Sequence, residues 1–151
     1  MNTKPSFSEN YVPREQGRVY ARYYEGAGPA FVLMHGFPDN LHIYDDLIPY
    51  LVAGGRRVVA FDFLGFGASD KPSGATYGFK QQLGDFEVIV EVLGLGKIVP
   101  VGHDASGPAA INFRNRAPGP RGLPVHSQYF LCRSARDADP GVNRTIRDPE
   151  P

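Results

Sequence analysis

Three short runs of uninterrupted apolar residues, 30–34 (AFVLM), 58–61 (VVAF) and 98–101 (IVPV), each lead directly into a glycine-containing polar loop. A segment that is apolar on both of its alternating faces has no solvent side, so each run is expected to be a strand buried between helices. The segments between the runs carry the other periodicity. Leu41, Tyr44, Leu47, Ile48 and Leu51 recur at three and four residues, after a capping Asn40 and before Gly54-Gly55. Phe79, Leu83, Phe86, Ile89, Val90 and Leu93 repeat the pattern and end at Gly94. Strand, helix, strand, helix, strand is the order of a doubly wound, mostly parallel α/β sheet. Residues 19–25 are expected to add a polar, tyrosine-rich edge strand, closed by a turn at Gly26-Ala27-Gly28-Pro29. Pro100 lacks a ladder donor, so its strand is expected to start late or to bulge.

In such a sheet the loops at the carboxyl ends of the strands carry the chemistry, because helix N-termini and free backbone N–H groups converge there. Here those loops are residues 35–40 (HGFPDN), 62–70 (DFLGFGASD) and 102–107 (GHDASG). The third has the form of a nucleophile elbow: a small residue, any residue, a nucleophile, any residue, and a second small residue, between a strand and a helix. In the phase of the preceding strand, Gly102 and Ser106 are the small flanks and Asp104 is at the tip. A serine nucleophile at Ser106 would need small residues at positions 104 and 108, which hold Asp104 and Pro108. The plainer alternative for Asp104 is a helix cap.

The three loops, in this order and at this spacing, resemble the α/β-hydrolase fold, and within it the epoxide hydrolase and haloalkane dehalogenase branch. The resemblance covers residues 18–113. It implies that Asp104 is a nucleophile that forms an alkyl-enzyme ester, and that the N–H groups of Phe37 and Ala105 hold the oxyanion when water attacks that ester. His35, Gly36, Pro38, Gly102, His103, Ser106 and Gly107 match supporting positions of the motifs. Asp62, Gly65, Gly67 and Ser69 match a loop that shapes the floor beside the site. No cofactor or metal is implied, and the partner is a small-molecule substrate. Haloalkane dehalogenases place a tryptophan after the nucleophile and the fluoroacetate-type enzymes an arginine, whereas this chain has Ala105 there and no tryptophan at all. Two further readings stand beside the hydrolase: a binding module that keeps the pocket without turnover, and a serine esterase at Ser106.

Composition enters at the far end of the chain. Sixteen basic and sixteen acidic side chains cancel over 151 residues, so no basic face for nucleic acid is forced. The cancellation hides a division, however: residues 114–151 hold seven arginines, no lysine, and six of the fourteen prolines. Pro118, Pro120 and Pro124 forbid continuation of the helix begun by Ala109, Ala110, Ile111 and Phe113. Residues 1–113 are therefore expected to be a partial hydrolase core and residues 114–151 an irregular tail. That tail has the composition of a GC-rich gene translated out of frame. Dropping one base within codon 114 permits a sequence that completes the helix and adds a His-Pro-x-Arg-Val turn, a buried strand and an amphipathic helix. Restoring the frame in the gene is expected to extend the chain to roughly twice its length. The base and its carboxylate partner, which the family contributes late, are expected to be missing, with His126 a poor substitute, and the chain to be inactive in turnover. Unpaired apolar surfaces are expected to make it prone to aggregate. One cysteine, Cys132, excludes an internal disulfide. No run approaches the ~20 apolar residues of a membrane span, and the expected compartment is the cytoplasm. The oligomeric state is left open.

Overall fold

The computed structural model describes residues 4–116 and 130–132. Six strands form one sheet in the spatial order β1-β2-β4-β3-β5-β6. Strands β1 (Ser8–Arg14) and β2 (Gly17–Tyr24) are an antiparallel hairpin, and β2 pairs antiparallel with β4 (Arg56–Phe61). From there the sheet is parallel: β4 pairs with β3 (Ala27–Met34), β3 with β5 (Ile98–His103), and β5 with β6 (Phe130–Cys132).

The continuous apolar runs are explained by burial on both faces. Val32 and Met34 of β3, with Val59 and Phe61 of β4, face a core that includes Phe86, Ile89 and Val90 of helix α2 (Phe79–Val92) and Ala110 of helix α3 (Gly107–Arg116). Their sequence neighbours Leu33, Val58 and Ala60 face a second core with Leu41, Tyr44 and Ile48. Successive side chains point to opposite sides of a sheet, so two cores demand hydrophobic residues at every position.

Four expectations are corrected. Residues 19–25 are not an edge strand, because β2 is covered on its outer side by β1, whose polar sequence carries only one buried residue, Val12. The turn before β3 is shorter than expected, since that strand already begins at Ala27. The first helical pattern is two pieces, a 3-10 turn at Leu41–Tyr44 capped by Asn40 and a helix α1 at Ile48–Ala53. Pro49 is the reason: without an N–H it cannot continue a helix from the preceding turn, but it fits the first turn of a new one. Strand β5 neither starts late nor bulges at Pro100, since its register against β3 passes unbroken through Val32↔Pro100.

Helix α3 reaches Arg116, and Phe130–Cys132 is a short strand. A parallel pairing from Val101↔Phe130 to His103↔Cys132 satisfies part of the otherwise open edge of β5. The remainder of the expected tail, including His126, lies outside the described residues. No helix among the described residues is long and apolar enough to cross a membrane.

Candidate active site

Asp104 follows β5 directly, in a 3-10 turn Asp104–Ser106 that runs into α3. Its φ of 53° is the one positive φ among the described non-glycine residues. A β-carbon is strained in that region, so the conformation persists only where its surroundings enforce it. Two glycines do so. A β-carbon on Gly102 would sit 3.2 Å from the backbone N and Cα of Gly107, which is how tightly the elbow closes on itself. A β-carbon on Gly36 would sit 2.6 Å from the Asp104 β-carbon and 2.9 Å from its Oδ2. The HGFPDN loop can therefore lie against the Asp104 side chain only with glycine at position 36.

That approach delivers a donor. The Phe37 N–H donates to Asp104 Oδ2 at 3.3 Å, a contact between residues 67 apart in sequence. Asp104 is not the cap of its own turn, whose N-cap is His103. Phe37 is 69% exposed and Asp104 is exposed, so the carboxylate stands open at the carboxyl end of the sheet. The Phe37 ring meets Phe66 edge-on at 6.2 Å, and Phe66 in turn meets His35 at 5.3 Å, giving the site one aromatic wall. The Phe37–Pro38 peptide is cis. Ala105 lies in the turn and Gly107 opens α3.

Ser106 is fully buried. Its hydroxyl accepts from the His103 N–H at 2.8 Å and lies 2.8 Å from the Met34 carbonyl and 2.9 Å from that of His103. It ties the elbow to the end of β3 and points away from the open side. His103 keeps its Nδ1 buried without a partner.

His35 is 1% exposed, and its roles are fixed by both neighbours. Nε2 accepts from the Phe63 N–H at 3.1 Å, so the proton is on Nδ1, which donates to the Gly36 carbonyl at 2.7 Å. Burial holds its pKa below the ordinary imidazole value, against the opposing pull of the Gly36 carbonyl. Between that lowered value and about 6.5, the unfolded chain binds a proton that the folded chain refuses. Stability from His35 is thus fully present above about pH 6.5 and is lost as the pH falls. Urea titrations between pH 7.5 and 5 are expected to show this loss, and His35→Gln, which can donate and accept without charging, is expected to flatten it.

Asp62 and Ser69, which match the family's floor loop, fasten the end of the HGFPDN loop. Asp62 accepts from the Leu41 N–H at 2.7 Å and from the Ala68 N–H at 2.8 Å, and its carbonyl accepts from the Ser69 hydroxyl. The loop after β3 is thereby fastened to the loop after β4. Among the described residues no group of three or more His, Cys, Asp and Glu is arranged to hold a metal.

Residues 29–116 match the family model described as alpha/beta hydrolase fold. The chain belongs to this family. It is 41% identical over 86 residues to a fluoroacetate dehalogenase of Burkholderia sp., covering 54% of this chain and 28% of that protein. Over 125 residues it is 33% identical to haloalkane dehalogenase 2 of Mycobacterium bovis, covering 82% of this chain and 43% of that one. The solved epoxide hydrolase from an endophytic Streptomyces superposes with a TM-score of 0.63 at 31% identity, over 76% of this chain and 34% of that one. The chain thus spans less than half the length of the curated relatives cited. In this α/β-hydrolase chain the matched residues 29–116 include both the HGFPDN and the GHDASG loops.

Proposed function

We propose that Asp104 is the nucleophile of a hydrolase acting on a small organic epoxide or halide. The observation that carries this reading is the exposed carboxylate held at positive φ, with the Phe37 N–H already on Oδ2. One carboxylate oxygen attacks the electrophilic carbon and forms a C–O bond. The carbon–halogen bond, or the ring C–O bond of the epoxide, breaks and its electron pair leaves with the halide or as an alkoxide, which takes its proton from water. The N–H groups of Phe37 and Ala105 then face the ester carbonyl, where charge develops on attack by water. The dehalogenase and epoxide hydrolase relatives support this substrate class. Ala105 brings neither a tryptophan donor nor an arginine to a leaving group or substrate carboxylate, so both probe classes are needed.

Release requires a base, and the described histidines are poorly placed to supply one. Both nitrogens of His35 are engaged and His103 Nδ1 is buried, while His42 is held by Asp45. We infer that this chain stops at the ester. Intact-mass spectrometry of the full chain with excess styrene oxide, and separately with 1-bromobutane, is expected to show one added equivalent that persists, and none in Asp104→Asn. Sustained diol or alcohol production without an accumulating adduct would overturn the arrest, and an undiminished adduct in Asp104→Asn would overturn the nucleophile.

The serine reading loses support from the burial of Ser106. Ser106→Ala is expected to cost about 1–2 kcal/mol of stability through the lost elbow hydrogen bonds, yet to leave ester formation in place. Organophosphate labelling of Ser106 would reverse that ranking.

A further inference from the structure

A cleft of about 430 Å³ lies against the β1–β2 hairpin and the loops after β3 and β4. It is bordered by Glu9, Tyr11, Tyr20, Arg22, Asn40 and His42, with Asp62, Gly67 and Ala68 of the loop after β4, and neither Asp104 nor Phe37 lines it. That volume suits a small-molecule site.

Its floor follows from hairpin register. Glu9↔Arg22 and Tyr11↔Tyr20 are directly opposed pairs, so all four side chains stand on one face. The two tyrosine rings meet at 5.2 Å, with Tyr11 half exposed and Tyr20 buried. The cation is already committed. Arg22 lies over Phe7 and Tyr20, and its Nε donates to the Tyr20 hydroxyl at 3.2 Å. Its terminal nitrogens reach Asp45 at 3.5 Å and His42 Nε2 at 3.4 Å. With His42 Nδ1 against Asp45 Oδ2 at 2.8 Å, the imidazole takes the tautomer that donates to the carboxylate and accepts from Arg22.

What this network leaves over is one acceptor and one donor. Glu9 accepts the Tyr20 hydroxyl on Oε1 at 2.6 Å, leaving Oε2 as an acceptor. Asn40 spends Oδ1 on the His42 N–H at 3.0 Å, leaving its amide N–H₂ as a donor. The Tyr11 ring is half exposed, with the Arg18 guanidinium 5.1 Å from its centroid, and offers its edge and the hydroxyl at its tip. A planar carboxylate acceptor, a planar amide donor and a tyrosine hydroxyl around one small cleft match the vicinal hydroxyls of a polyol. We propose that the cleft binds a small neutral polyol of sugar type. An anion would face Glu9 and Asp62, while a cation would face an arginine that is held in place by two aromatic rings. The ligand would touch Asn40 and His42, which continue the same loop that presents Phe37 to Asp104.

The test is a titration of the ¹⁵N-labelled full chain with D-glucose, followed through the backbone amides of Gly67 and Ala68 that border the cleft, with choline and inorganic phosphate as controls. Saturable shifts at millimolar glucose are expected. Asn40→Asp keeps the cap acceptor and removes the donor, and Glu9→Gln keeps the acceptor for Tyr20 while removing the charge. Each is expected to weaken glucose binding about tenfold, the loss of one good hydrogen bond, with the Asp104 adduct unchanged in Glu9→Gln. No saturable shift up to 100-fold that range, or shifts unaltered in both variants, would overturn the site. Saturation by choline or phosphate but not glucose would overturn the assignment of a polyol.

Discussion

Gly36→Ala is expected to slow ester formation at Asp104 by on the order of a hundredfold or more, the effect of displacing a reacting group by about 1 Å. The added β-carbon would lie 2.6 Å from the Asp104 β-carbon and 2.9 Å from both its Oδ2 and the His103 carbonyl. None of those atoms is the free end of a long side chain. Asp104 is already held at positive φ, so either the elbow or the HGFPDN loop must move, and either movement separates the Phe37 N–H from the carboxylate. The crowding is also expected to cost about 1–3 kcal/mol of stability. Adduct formation timed by intact mass, beside thermal melts of both proteins, separates the two effects. An unchanged rate in a folded Gly36→Ala chain would mean that the close approach has no bearing on the chemistry.

Asp85→Ala is expected to be the most destabilising single change, about 3 kcal/mol, as when one partner of a buried ion pair is removed. Asp85 lies on α2 and is fully buried. Its carboxylate accepts from the Arg14 Nε at 2.8 Å, from the Leu64 N–H at 2.9 Å and from the Gln81 amide at 3.3 Å. Burial pushes its pKa up, and those three donors oppose the rise. Truncation strands the Leu64 N–H in the interior and removes the carboxylate partner of Arg14, whose side chain is a quarter exposed and so recovers part of its loss from water. Asp85→Asn, which retains an acceptor, is expected to lose less. Urea unfolding measures both, and equal stability of the alanine variant and the parent would contradict this account of the network.

The network joins β1, α2 and the loop after β4, three segments that sequence periodicity treats as unrelated. The three buried strands and α2 were legible because burial on two faces or one leaves a strong periodic signal. Strand β1 left none: of SENYVPR only Val12 is buried, and Pro13 argues against a strand. Missing it turned β2 into an apparent edge. Asp85 stands four residues before Ile89 on the apolar face of α2, and a carboxylate at that spacing is the one available hint of a buried partner, although nothing local points to Arg14. The elbow itself was legible from its small flanks, because the close contact of Gly102 with Gly107 is a local matter. The donation from Phe37 to Asp104 spans 67 residues and left no local signal; family resemblance pointed to the Phe37 N–H only as an oxyanion donor. The tie from Asp62 to Leu41 gave no local signal. The expected frame change after Phe113 concerns residues largely outside those described, and the gene sequence from codon 110 onward decides it.

The account turns on which atom forms the bond. Proteolysis of the chain after reaction with styrene oxide, followed by fragment mass spectrometry, is expected to place the added mass on Asp104, as an ester released by mild base. A modification at Ser106, at a histidine, or spread over the exposed carboxylates would contradict it.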